Sequence, residues 1–249
     1  YANDLDISSS SFVGNSATGS GYAGGGLYSY SVSSRTVQGN TFCGNAASYG
    51  GAAYSYYTRG DDDWFNNIFV ENTASSYGGA LYLYYDYYSD IVNNTFLGNT
   101  ASAGGGLMLL YTYADFLNNI VAWTQAGDGL MAYDSSTGAY TNLGYNDWYA
   151  NSSADVSGYL DAGDISGGGN LTDIPGLVDY SLDGDCSNDN FALASTSTLI
   201  DAGDPALLDP DGSRSDIGAT GGEGASAVDA DGDGYTNDID CDDADATIN

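Results

Sequence analysis

The chain has 249 residues, of which 34 are Asp or Glu, three are Arg and none is Lys or His, for a formal net charge of −31. Such a surplus excludes nucleic acid as a partner, because nothing is available to displace counterions from phosphate, and it argues equally against an anionic membrane surface. No apolar run reaches the ~18 residues that a membrane-spanning helix needs, so no membrane insertion is expected.

The chain has no initiator Met and opens almost directly into repeat structure at Ile7, as expected of a processed or excised piece. A phrase of about 27 residues then recurs, marked by Phe12, Phe42, Phe69, Phe96 and Val121. Five residues before each marker stand Ile7, Val37, Trp64, Ile91 and Phe116; two before it stand Ser10, Asn40, Asn67, Asn94 and Asn119. Three after it stand Asn15, Asn45, Asn72, Asn99 and Thr124. A period of this size marks a solenoid whose units stack only on their neighbours. The units are rich in Gly and Tyr and poor in helix formers, so they read as coils of short strands.

The second half of each phrase alternates with period two, as a strand does. Leu27, Ala53, Leu81, Leu107 and Leu130 form one column, and Ser29, Ser55, Leu83, Leu109 and Ala132 a second on the same, inward face. Tyr28, Tyr54, Tyr82, Met108 and Met131, and then Tyr30, Tyr56, Tyr84, Leu110 and Tyr133, point outward. The Asn columns have a structural role, since amides stacked at a strand spacing of ~4.8 Å can bond up the ladder. Gly14, Gly44 and Gly98 suit the turns beside them.

The Asn-Asn-Thr-Phe-Leu-Gly-Asn run at 93–99, its sisters at 39–45 and 66–72 and the Gly-rich segments before each Leu column resemble secreted bacterial right-handed parallel β-helix surface proteins. The likeness extends through Tyr145-Asn146-Asp147-Trp148, 199–205 and 209–219, and covers roughly residues 1–222. It implies an all-β fold, a right-handed parallel β-helix; irregular C-terminal coils and a cap are expected as well, since the open end of a parallel stack exposes unpaired backbone. It does not by itself imply an activity, since one scaffold hosts adhesins, lyases and fibres. Enzymes of this fold that act on pectin use Asp clusters with Arg or Lys, or Asp with His. Here Arg35 and Arg59 are expected in loops of adjacent coils, with Asp61-Asp62-Asp63 close to Arg59. With no His or Lys and no visible acid–base pair, these acids, like Asp86, Asp90 and Asp115, read as a solvated edge, and no enzyme activity is expected.

Three cysteines are too few for a disulfide framework. Cys43 falls in the ladder column with Val13, Val70, Leu97 and Ala122 and reads as a small packing residue; a Cys186–Cys241 bridge stays open. From about Ala139 the phrase fades, and 150–190 reads as one or two irregular coils plus a cap. Asp209, Asp211 and Asp216 surround Arg214, which suggests a local ion pair or fork.

Residues 223–249 form a separate unit, a Gly-rich linker followed by a calcium motif. Asp229, Asp231 and Asp233 occupy positions 1, 3 and 5 of an EF-hand-like loop, Gly234 the sharp turn, Tyr235 the carbonyl position and Asp240 the closing position. Asp238, Asp242 and Asp243 are candidates for a second ion. The segment resembles the calcium-binding thrombospondin type 3 repeats and implies Ca2+ as cofactor. It departs from that pattern at Asn237 and Cys241.

The outward Tyr ladder is the remaining signal, with Tyr28, Tyr30, Tyr54, Tyr56, Tyr82, Tyr84, Tyr111 and Tyr113 as its candidate binding face. Exposed tyrosines are rigid and amphipathic, suited to another copy of the chain or to a sugar polymer. The sequence therefore leads to an exported, non-catalytic, calcium-binding structural or adhesive β-helix of the cell surface or extracellular space, self-assembling into an extracellular fibre through its Tyr-rich face or coil ends. The alternative is a β-helix that binds or cleaves extracellular polysaccharide.

Overall fold

The computed structural model describes residues 3–17 and 19–225. Its strands follow as six successive coils. The first holds β1 (Asp4–Ser8), β2 (Ser11–Val13) and β3 (Leu27–Tyr30). The second holds β4 (Ser34–Gln38), β5 (Thr41–Cys43), β6 (Ala46–Tyr49) and β7 (Ala53–Tyr56), and the third β8 (Asp62–Phe65), β9 (Ile68–Val70), β10 (Thr73–Tyr77) and β11 (Leu81–Tyr84). The fourth has β12 (Ser89–Val92), β13 (Thr95–Leu97) and β14 (Leu107–Leu110). The fifth has β15 (Ala114–Leu117), β16 (Ile120–Ala122), β17 (Leu130–Ala132) and the short helix α1 (Ser135–Ala139). The sixth has β18 (Asn142–Gly144), β19 (Asp147–Tyr149) and β20 (Val156–Gly158), followed by α2 (Ala162–Ile165) and the hairpin strands β21 (Leu177–Asp179) and β22 (Asn190–Leu193).

Three parallel sheets of six strands run along the stack: β1-β4-β8-β12-β15-β18, β2-β5-β9-β13-β16-β19 and β3-β7-β11-β14-β17-β20. The expected parallel β-solenoid is therefore borne out, register included. Ile7 pairs with Val37, Val37 with Trp64, Trp64 with Ile91 and Ile91 with Phe116. The Phe markers pair likewise, Phe12 to Phe42 to Phe69 to Phe96 to Val121, and their rings stack at 4.7, 4.9 and 4.8 Å along the interior. Offset ring stacking adds to simple apolar burial, so this column ties the coils together more firmly than aliphatic residues would.

The Asn ladders do what their spacing predicts. Asn67 N–H and Nδ2 both donate to Oδ1 of Asn94, at 2.9 and 3.0 Å, and Nδ2 also donates to the Val37 carbonyl of the coil before, at 2.7 Å. Asn72 repeats this with Asn99 and the Phe42 carbonyl. One amide thus satisfies groups on three coils, which is how buried turns avoid orphaned polar atoms. The first ladder continues through Asn119 and Asn146 to Asn170, which bonds Asn146 beyond the last full coil.

Close stacking also fixes glycine positions. A Cβ on Gly79 would lie 2.0 Å from the Gly105 carbonyl oxygen of the next coil. Gly79→Ala must push two coils apart and is expected to cost about 3 kcal/mol or more in chemical denaturation. An unchanged denaturation midpoint would contradict this stacking.

Beyond β20, Leu160 and Ile165 pack on the core, and Leu171 bridges to Asp147. The chain then turns back along the outer face of the second sheet. It covers Val70, Leu97, Ile120 and Ala122 with Leu199 and Ile217. This return corrects the reading of the cysteines: Cys43 does sit in the expected column, but it is disulfide-bonded to Cys186 across 143 residues, not a lone packing residue. Cys186 is thereby taken, and the Cys186–Cys241 bridge does not form. Short-range patterns could not foresee this pair, because the return path of the strap brings the two together.

Candidate functional site

The Arg–Asp constellation differs from its expected place. Counting by twos from the inward Val37 puts residue 35 inward as well, and Arg35 lies in β4, not in a loop, only 1% exposed. Its column runs Leu5, Arg35, Asp62, Ser89 and Ala114. Arg35 Nε donates to Asp62 Oδ1 at 2.8 Å, Nη2 lies 2.7 Å from the same oxygen and donates to Thr58 Oγ1 at 2.6 Å, and Nη1 donates to Ser29 Oγ. Trp64 Nε1 and Ser89 Oγ also donate to Asp62, both at 2.9 Å, and the guanidinium lies 5.1 Å from the Trp64 ring centroid. Asp86, expected at a solvated edge, is buried 3.6 Å from Arg35, and its Oδ1 accepts from Thr58 N–H at 2.6 Å. Its other oxygen has no hydrogen-bond partner. Burial, then the Asp62 charge, raises the Asp86 carboxyl against the pull of Arg35. This is an internal ion cluster closed to solvent. Arg59 is not part of it: it is exposed, 5.6 Å from the Tyr57 ring centroid.

The outer face of the first sheet carries an acidic row in register, Asp63, Asp90 and Asp115. Asp63 is pushed up to about 6, by burial first and then by Asp90 and Asp61, and Asp90 is raised by burial and by Asp115. Beside the row, Tyr88, Tyr113 and Tyr140 join Asp90 and Asp115 in lining a cavity of about 310 Å³.

The Tyr face is divided. Tyr28 and Tyr30 are exposed and stack on Tyr54 and Tyr56 at 5.6 and 5.2 Å. Tyr82, in the same column, is buried beneath its neighbours Tyr49, Tyr54 and Tyr77. Tyr84 is half-buried and Tyr111 exposed, both stacking with Tyr85. Tyr113 leaves this face and packs near Tyr87 and Tyr140 beside the first sheet. Among the described residues, the exposed tyrosines are Tyr22, Tyr28, Tyr30, Tyr87, Tyr88, Tyr111, Tyr133, Tyr140 and Tyr159.

Around Arg214 the expected fork to Asp is absent. Arg214 donates to the Gly203 carbonyl at 2.5 Å and the Ala202 carbonyl at 3.0 Å and lies 5.6 Å from the Tyr145 ring centroid. Asp216, left among Asp209, Asp201 and Asp211, is pushed up to about 7, mainly by burial. The calcium ligands expected at Asp229, Asp231, Asp233, Tyr235 and Asp240, and the second set at Asp238, Asp242 and Asp243, lie outside the described residues. Among the described residues, no group of three or more Asp, Glu, Cys or His is placed to hold a metal ion.

No protein-family model matches this chain, and no curated protein or solved structure is significantly similar to it.

Proposed function

We propose that this chain is an exported, non-catalytic, calcium-binding structural or adhesive β-solenoid of the cell surface or extracellular space, which contacts copies of itself through its exposed tyrosines. The observation that carries the reading is a stack of coils with tyrosines at its surface whose Arg35–Asp62–Asp86 cluster is sealed in the core, where no substrate reaches it. The Cys43–Cys186 bridge supports export, since such bonds persist in oxidising compartments. Like charge opposes association, so divalent ions should favour it.

The test combines calorimetry with light scattering. Calcium is expected to bind with oxygen ligands at ~2.3–2.6 Å in 229–243 and to promote association. Asp231→Ala should abolish the binding heat. Replacing Tyr28, Tyr30, Tyr111 and Tyr133 with Ser should abolish association; no calcium heat, and no difference in particle size, would refute the reading.

One observation favours the alternative, a polysaccharide-binding or polysaccharide-cleaving solenoid: the cavity in which Tyr88, Tyr113 and Tyr140 adjoin the Asp90–Asp115 row. Retention on insoluble polysaccharide that Tyr88→Ser and Tyr140→Ser abolish would support binding. Turnover of the polymer that Asp90→Asn removes would support cleavage and overturn the non-catalytic reading.

A further inference from the structure

We propose that β21, β22 and the loop between them form a hairpin flap latched to the solenoid by the Cys43–Cys186 disulfide, and that reduction of that bond releases the flap while the coils stay folded. The flap is self-contained: β21 and β22 pair only with each other, Ser181 N–H bonds Asp189, and Ala194 N–H closes the base on the Gly176 carbonyl at 2.8 Å. From base to tip it crosses one coil after another. Tyr180 stacks on Trp123 at 5.2 Å, and Tyr180 and Leu182 cover Gly98. The backbone of Asp183 and Gly184 faces Glu71, and Cys186 reaches Cys43.

Leu177, Tyr180, Phe191 and Leu193 of the flap pack on the outer apolar cluster of the second sheet but stay only partly buried, and several polar groups beneath the flap lack partners. Glu71 Oε1, Tyr180 Oη and Asp189 Oδ2 are all buried without a hydrogen-bond partner, a configuration that costs free energy whenever the flap is down. Asp183 and Asp189 also bring negative charge to Glu71, whose carboxyl is raised by burial first and further by those two, against hydrogen bonds from the Gly184 and Asp183 backbone that lower it. Leu182 is half exposed, and a cavity of about 310 Å³ opens between Trp123 and the flap base at Ile174, Gly176 and Leu177. The neighbouring return segment is held differently. Leu199 and Ile217 are fully buried there, and the side chains of Asn66, Asn93 and Asn118 bond its backbone. Loss of one covalent bond therefore frees the flap before it frees the rest of the strap.

A small dithiol supplies the chemistry. Its thiolate attacks the half-buried Cys186 Sγ, the S–S bond breaks, and Cys43 leaves as a thiolate that takes a proton. The second thiol of the reductant then attacks the mixed disulfide, closes an intramolecular disulfide and leaves Cys186 as a thiol. Two electrons and two protons pass from dithiol to protein.

The experiment uses the full chain with Cys241→Ser, folded oxidised and then treated with or without a dithiol. A chymotrypsin-type protease is offered the sites at Tyr180, Leu182 and Phe191, and deuterium exchange is followed at 91–97. Reduction is expected to speed flap cleavage tenfold or more and to leave exchange at 91–97 unchanged. Cys186→Ser should behave as the reduced protein without reductant; should that variant fail to fold, the reduced protein carries the test. Unchanged flap cleavage after reduction overturns the proposal. So does loss of protection at 91–97 in step with the flap, which would make the bond a staple of the whole solenoid.

Discussion

Thermal unfolding is expected to move upward by about 10 °C as the pH falls from 8 to 5, the reverse of what a protein stabilised by salt-bridged carboxylates does. The cause is a set of carboxyls that folding places where they hold their protons. Asp147 is fully buried at the end of the second sheet. One of its oxygens accepts from Asp173 N–H at 2.8 Å and the other has no partner. Burial, with smaller help from the Asp173 and Asp155 charges, pushes it up to about 7, and Asp216 reaches about 7 for similar reasons.

A carboxyl with a raised folded value binds a proton in the native state that the unfolded chain, at its ordinary value of 3.8, does not. Between about pH 4 and 7 the native state thus holds more protons, and stability falls as pH rises through that window. For Asp147 the shift corresponds to at most on the order of 4 kcal/mol. Asp134 sets the lower limit. Although burial raises it, hydrogen bonds from Ser136, Thr137 and Tyr111 bring it down to about 2, so its contribution is lost below about pH 4. Scanning calorimetry at pH 8, 6.5 and 5 checks the slope, and Asp147→Asn should flatten it. Surface repulsion gives a similar trend but is screened by salt, whereas the buried groups are not, so the slope should persist at high ionic strength. A melting temperature that is flat or rises toward pH 8 would refute the assignment.

Arg35→Met is expected to destabilise the chain by about 3–5 kcal/mol, because it leaves Asp62 and Asp86 buried without their cation. The guanidinium also serves Ser29 and Thr58, so more than charge is lost. Arg35→Lys should recover only part of the loss, since an ammonium cannot meet Asp62, Thr58 and Ser29 in one plane. Combining Arg35→Met with Asp62→Asn and Asp86→Asn should be milder than Arg35→Met alone, since no buried charge then remains uncompensated. Denaturant midpoints of the variants check the order. Equal losses in the single and triple variants would mean that the cluster acts through packing alone.

Local chemistry carried the repeat. A residue's inward or outward direction in a strand depends only on alternation, and its coil only on counting, so the Phe, Leu and Asn columns were readable from spacing and recur in the pairing register. The same count contains the inward position of Arg35, although the Asp61-Asp62-Asp63 run of the next coil suggests a solvated edge there. The Tyr ladder was legible as a direction but not as an exposure. Tyr82 points outward as expected, yet it lies beneath the rings of Tyr49 and Tyr77, which arrive from outside its strand.

What the sequence by itself determined is the part in which each residue's neighbour lies one period away: strands, coil spacing, amide ladders and the apolar interior. What only the tertiary structure decided is everything that depends on the non-repeating return of residues 171–225. That path pairs Cys43 with Cys186, buries the outer side of the second sheet and brings Asn66, Asn93 and Asn118 to the backbone of the strap. The physical reason is that periodic stacking is set by nearest-neighbour contacts written into each copy. A strap has no period, and its course follows from where it finds apolar surface to cover and turn amides to meet.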